Sequence, residues 1–277
     1  MKKKVSVVIV TYNRPKDVLE TVESLLRQSV KPFEIIVIDD GSNPPVTLEF
    51  QSENLKVIRF DQEVGLSNAR NHGVKIANGE YIAFIDDDAI AEKNWVEEIQ
   101  KGLESADVIG GPIRPLYQTS PPKWWNEKDL GGYAGVGNIF CATGEIWGCN
   151  MAFGTNVFKT VGLFNPNLGR RKGKLFSDEE FNLIERARSK GFGVKFIQTA
   201  VVYHKVPPKR MTFAYIMRWN YTQGKSKSVS NGYQPLQICY SLLLYIFTMA
   251  NPRVIISEKS AKIKIIARMT QLLGRLF

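Results

Sequence analysis

The chain has 277 residues, 44% of them hydrophobic and 23% charged, which suits one large globular domain with an appendage and excludes a disordered or repetitive protein. Three cysteines without a CxxC pair (Cys141, Cys149, Cys239) exclude a disulfide framework and favour a reducing compartment, while two histidines, His72 and His204, exclude a histidine-rich zinc site. The net charge of +10 is uneven: residues 205–277 hold twelve Lys/Arg against Glu258 alone, which points to an anionic surface as partner.

Met1-Lys2-Lys3-Lys4 leads directly into Val5–Val10, a continuous β-branched run that reads as a strand, with no signal peptide expected before it. Thr11-Tyr12-Asn13-Arg14-Pro15 breaks the strand, and Pro15 suits the first turn of a helix with Val18, Thr21, Val22, Leu25 and Leu26 at helical spacing. Glu34–Ile38 is a second strand ending at Asp39-Asp40-Gly41-Ser42, and Leu55–Phe60 a third, exposed on one face. Gly65–Asn71 opens a helix that runs to about Ala77.

The fourth strand, Ile82-Ala83-Phe84-Ile85, has no polar alternation and so reads as buried on both faces. It ends in Asp86-Asp87-Asp88. Three adjoining carboxylates need a compensating cation or strong donors. Hard oxygen ligands at a strand's carboxyl end suit Mg²⁺ or Mn²⁺ that also grips a phosphate. A solvated acidic turn is the plainer alternative. Strands alternating with helices imply parallel pairing and a doubly wound sheet, whose ligands bind beyond the carboxyl ends of the strands. Thr11–Arg14, Asp39-Asp40 and Asp86–Asp88 all fall on that edge.

Residues 111–150 read as a long aromatic and proline-rich loop, a binding wall or lid, with Trp124 and Trp125 in it. Residues 177–190 return to helix, with Asp178, Glu179 and Glu180 at its start, where the helix dipole alone would favour acids. In the tail, Leu236–Ala250 is uncharged yet shorter than the ~20 residues that span a bilayer. Beyond it, Ile265, Met269, Leu272 and Leu276 line one helical face, with Lys264, Arg268 and Arg275 elsewhere. The pattern fits an interfacial membrane anchor, or else a helical subdomain or dimer interface.

In order and spacing these segments resemble family 2 glycosyltransferases, inverting nucleotide-sugar enzymes of the GT-A fold, over about residues 4–225. Val5–Arg14 is similar to the family's first strand and nucleotide loop, Val37–Ser42 to its second motif, and Gly65–Asn71 to the helix whose arginine meets the nucleotide. Ile85–Asp88 fits the DxD element as Asp86 and Asp88, and Trp147–Met151 is similar to the acceptor-side segment. The family's Glu-Asp pair, whose Asp is the base, falls on Glu179-Glu180 here, so the base is assigned to Glu180, with Asp178 in reserve.

The resemblance implies a GT-A catalytic domain over 1–232, and the residue pattern of the tail a basic helical extension over 233–277. It implies nucleotide binding by Thr11, Tyr12, Arg14, Asp40, Arg70, Asp86 and Asp87, with Asp40 and Tyr12 at the base. A Mn²⁺ or Mg²⁺ cofactor would be held by Asp88 and His204, and an acceptor by Trp124, Trp125, Trp147 and Asn150. Expected partners are a nucleotide-sugar donor, with UDP preferred, a glycan or lipid-linked acceptor and an anionic membrane surface, with no nucleic acid. The expected location is cytoplasmic, at the inner face of the cell membrane, in surface-polysaccharide synthesis. Two rivals are a nucleotidyltransferase, against which the glycine-poor Thr11–Arg14 loop counts, and a non-catalytic sugar-nucleotide or membrane scaffold.

Overall fold

The computed structural model describes residues 3–50, 52–132, 145–171, 173, 176–231, 242 and 259–276. Its centre is a seven-stranded sheet ordered β3-β2-β1-β4-β8-β6-β9. The strands are β1 (Val5–Thr11), β2 (Glu34–Asp39), β3 (Leu55–Arg59), β4 (Tyr81–Ile85), β6 (Val108–Gly110), β8 (Asn150–Gly154) and β9 (Val194–Phe196). The first four strands pair in parallel, and β8 runs antiparallel to both β4 and β6.

Uninterrupted apolar runs give strands that are buried on both faces. Val5, Val7, Ile9, Ile35, Val37, Ala83 and Ile85 meet α1 (Pro15–Leu26) and α3 (Trp95–Glu104) on one side. Val8, Ile36, Ile38, Ile82 and Phe84 meet α2 (Leu66–Ile76), α5 (Thr155–Val161) and α6 (Glu179–Ser189) on the other. Consecutive residues therefore feed opposite layers, which is why alternation is absent. Each such side chain contributes on the order of 1.5–3 kcal/mol through its removal from water.

A second sheet, β5-β10-β7, combines β5 (Ala89–Ala91), β7 (Ile113–Tyr117) and β10 (Val202–Val206). The loop expected over 111–150 therefore contains a strand, β7, and a short helix, α4 (Glu127–Leu130). Cys141 and the rest of 133–144 lie outside the described residues, as do Cys239 and nearly all of the Leu236–Ala250 stretch.

The C-terminal part continues the same body. A 3₁₀ turn (Pro208–Met211) leads into α7 (Phe213–Asn231), and α8 (Lys259–Leu276) packs along α7. Their backbones touch at two glycines. A Cβ on Gly224 would lie 1.9 Å from the Gln271 carbonyl oxygen, and one on Gly274 would lie 1.9 Å from that of Tyr221. Ile263 and Ala267 of α8 are buried with Leu130, Val206, Met211 and Ile216. The buried face of α8 thus runs through Ile263, Ala267 and Gly274, while Ile265, Met269, Leu272 and Leu276 are half-buried on the other side. Among the described residues, no helix is long and apolar enough to cross a membrane.

Candidate active site

The carboxyl ends of β1, β2 and β4 and the start of α6 open onto one cavity. It is lined by Thr11, Tyr12, Arg14, Asp40, Arg70, Asp86, Asp87, Trp147, Glu179, Glu180 and His204. A larger open groove of about 860 Å³ lies beyond α2, around His72, Lys75 and Arg186, and carries no carboxylate.

At the β2 end, Asp40 is buried, and its oxygens accept the backbone N–H groups of Val64 (2.7 Å) and Gly65 (3.0 Å). Burial nevertheless raises its pKa to about 6, helped by the charge of Glu63. Gly41 follows with φ +80°, where a Cβ would strike the Gln62 backbone at 2.6 Å. Only glycine serves this turn.

The three aspartates have separate surroundings. Asp87 accepts from Thr11 Oγ1 (2.8 Å) and Arg14 (2.9 Å). Burial pushes it up to about 7 against the pull of Arg14. Asp88 is ringed by His204 Nε2 at 3.0 Å, Arg14 at 2.7 Å and Arg210 at 3.2 Å. Burial opposes its ionisation, yet His204, Arg210 and Arg14 together hold its carboxyl well below the usual range. The donors demanded by three adjoining carboxylates are therefore largely the chain's own. Asp86 remains partly exposed to the cavity, its side chain 31% accessible.

His204 reaches this place because β10 pairs antiparallel with β5, setting it opposite Ala89, and because the Lys205 N–H donates to the Asp88 carbonyl (2.9 Å). Asp86, Cys149 and His204 can bring ligand atoms within 4.8 Å of one another. The carboxylate suits Mn²⁺ or Mg²⁺, whereas an imidazole nitrogen is a ligand more typical of softer divalent metals. The buried Cys149 thiol, pushed well up in pKa by burial, is a poor partner for either metal. Asp88, expected as a metal ligand, places its Oδ1 3.0 Å from His204 Nε2 and so fixes the ring.

Arg70 ties the two halves together. Its buried guanidinium contacts Glu179 (2.7 Å), Asp86 (3.2 Å) and the Gly148 carbonyl (3.3 Å) beside the rings of Phe84 and Phe164. Glu180 accepts the Gly148 N–H through Oε1 (3.3 Å), and its Oε2 has no partner among the described residues. Burial and the adjacent Glu179 raise its pKa well above the usual range, against Arg70. Both glutamates are buried, so these acids are more than a solvated first turn serving the dipole. Asp178, in the left-handed region at φ 72°, is raised to about 6 by burial and Glu179, with Lys227 opposing.

The remaining expected acceptor residues are placed elsewhere. Trp124 and Trp125 pack edge to face at 6.0 Å against the cluster under α7 and α8, with the Trp125 indole N–H donating to the Tyr117 hydroxyl. Asn150 spends its whole amide on Trp95 Nε1, Pro112 O and Ala200 O in the core. Conversely, Arg210 of the 3₁₀ turn and Trp219 and Gln223 of α7 belong to the site or its wall, and no motif in the sequence singles them out. The only hint was two basic residues after Pro207-Pro208.

Comparison with known proteins decides the family. Residues 6–162 match the family described as glycosyl transferase family 2. The chain is 31% identical over 240 residues to the glucosyl-dolichyl phosphate glucuronosyltransferase of Haloferax volcanii, covering 82% of this chain and 77% of that one. The chain belongs to glycosyltransferase family 2. This glycosyltransferase is also 33% identical over 194 residues to GlyG of Streptococcus pneumoniae, covering 66% of this chain and 61% of the relative. Its fold resembles S. aureus TarS 1–349 crystallised with UDP, at a TM-score of 0.51 and 18% identity, over 98% of this chain and 90% of the other. The α/β body with a mostly parallel sheet is thus the GT-A fold.

Proposed function

We propose that this glycosyltransferase moves a sugar from a nucleoside diphosphate, UDP foremost, to a hydroxyl of a glycan or lipid-linked acceptor, with inversion. The observation that carries this reading is one cavity holding a buried Asp40 at the β2 end, Asp86 with His204 at the β4 end and an unpartnered Glu180 oxygen. Asp40 accepts from a pyrimidine N3–H, and Tyr12, 43% exposed, packs near the base. Arg14 and Arg70 supply fixed positive charge for nucleotide oxygens. In its ionised form Glu180 takes the acceptor proton as the hydroxyl attacks, and the proton affinity that burial raises makes that carboxylate the stronger base. A divalent cation held by Asp86 and His204 would neutralise the leaving diphosphate.

The Haloferax relative is named for a dolichyl phosphate-linked substrate, which together with the basic tail supports a lipid-linked acceptor at an anionic membrane face. The tail's charge is smaller outwardly than its count. Lys205 is tied to Asp17 (2.8 Å) and Glu20 (2.9 Å), and Arg210 to Asp88. Thermal shift with UDP, GDP, dTDP, CMP and ATP, with and without Mn²⁺, tests the donor assignment. Stabilisation by one nucleoside diphosphate that grows with Mn²⁺ is expected; no shift with any nucleotide overturns it and favours a scaffold.

A further inference from the structure

We propose that Gln223 of α7, with Trp147 and Trp219, forms a subsite that reads the hydroxyls of a pyranose ring beside Glu180. The inference rests on the transfer reading above and adds a recognition element to it. Trp147, Glu179, Glu180 and Gln223 all line the cavity, and among the described residues each has one buried side-chain atom without a hydrogen-bond partner: Trp147 Nε1, Glu179 Oε2, Glu180 Oε2 and Gln223 Nε2. Each orphan costs roughly 1–3 kcal/mol, and folded proteins keep few. Four around one cavity call for a ligand that supplies the missing partners.

Their chemistry narrows that ligand. The indole N–H and the amide NH₂ can only donate, while a carboxyl oxygen accepts or, when protonated, donates. Hydroxyl groups satisfy both kinds at once. An anion would meet two carboxylates, and an apolar group would satisfy nothing. Gln223 has a set orientation, because Ser177 Oγ donates to its Oε1 and leaves the nitrogen end over. Ser177 is held in turn by its N–H to Ser226 Oγ at 3.0 Å. It stands three residues before Glu180, whose other oxygen accepts from Gly148, the neighbour of Trp147. The two donors therefore flank Glu180 from different elements. Trp219, one helical turn before Gln223, lines the same cavity and offers an apolar face for a ring.

The ring belongs either to the donor's sugar or to the acceptor's terminal sugar. Calorimetry with Mn²⁺ compares UDP with UDP-glucose, UDP-galactose, UDP-N-acetylglucosamine and UDP-glucuronate. Saturation-transfer NMR with methyl glycosides of the same sugars, at saturating UDP, addresses the acceptor. The wild-type protein is expected to bind one UDP-sugar more tightly than UDP, or to bind one glycoside only when UDP is present. Gln223→Met removes that sugar preference by about tenfold, one hydrogen bond's worth, and leaves UDP affinity within about twofold. Gln223→Glu keeps the oxygen that Ser177 needs and turns the donating end into an acceptor, and melting temperatures of both variants separate recognition from folding.

An equal loss for UDP and UDP-sugar in Gln223→Met with a normal Gln223→Glu overturns the subsite in favour of a structural role. A sugar preference unchanged in both variants, or no sugar preference in the wild type, also overturns it while leaving the transfer reading intact. Absence of any UDP binding removes both.

Discussion

Arg70 offers the sharpest test of how the site is held together. Its guanidinium, only 4% accessible, is the cation next to Glu179, itself 4% accessible, and also reaches Asp86. Arg70→Met keeps an apolar stem beside Phe84 and Phe164 but leaves the carboxylates uncompensated. Removing one partner of a buried pair costs roughly 3–5 kcal/mol, far more than the pair's net contribution, because a charge stays buried alone. Urea unfolding at about pH 7.5 is expected to show that loss. An uncompensated buried carboxylate shifts toward its protonated form, so the loss shrinks at about pH 5.5, where the proton replaces the arginine. Glu179→Gln in the Arg70→Met background should recover more than about 1 kcal/mol, since neighbours in one network are not additive. A loss below about 1 kcal/mol at both pH values, or additive single variants, refutes a guanidinium that compensates the acidic pair.

Three further outcomes follow from individual contacts. Glu180→Gln should lower sugar transfer by roughly 10²–10⁴-fold while keeping stabilisation by UDP; retained transfer in a steady-state assay moves the base elsewhere. Asp40, raised to about 6, must be ionised to accept from a base, so UDP affinity measured by calorimetry should be constant above that pH and fall as pH drops through it. A flat profile down to about pH 5 would remove Asp40 from base recognition. Gly274→Leu places side-chain atoms where a Cβ already lies 1.9 Å from the Tyr221 carbonyl oxygen, so α8 must move off α7. Overpacking of this kind costs about 1–3 kcal/mol or more, read as a lowered melting temperature; an unchanged one would mean that the helices do not cross there in solution.

Much of the first half was legible because its signals are local. β1, β2 and β4 are apolar runs closed by polar residues, α1 begins at Pro15, and the positions expected for nucleotide contact come together in one cavity. The second sheet was not legible. β5 and β7 are short and gain their identity only by pairing with β10, which is distant in the chain and leaves no periodicity behind. For the same reason Arg210 looked like surface charge, although it turns inward to Asp88. Trp124 and Trp125 looked like sugar platforms because nothing local announces the helices that cover them. Asn150 reads as a polar site residue, but its amide is consumed by three partners from separate strands and loops.

The tail shows how one amphipathic pattern can serve two surfaces. Ile263, Ala267 and Gly274 dock α8 on α7, and α7 in turn carries Gln223 and Ser226, which hold the residue before Asp178. The half-buried Ile265, Met269, Leu272 and Leu276, with Leu273 41% exposed, lie away from that contact. Deleting the tail would therefore disturb the catalytic wall along with any lipid contact, and loss of vesicle binding after such a truncation would not discriminate between them. Paired Leu272→Ser and Leu273→Ser substitutions spare the glycine crossing. If the second face meets lipid, they should weaken flotation with anionic vesicles at an unchanged melting temperature, because burial of apolar area adds to the attraction of the basic residues. Equal flotation of the substituted and native proteins would leave α8 with a packing role alone.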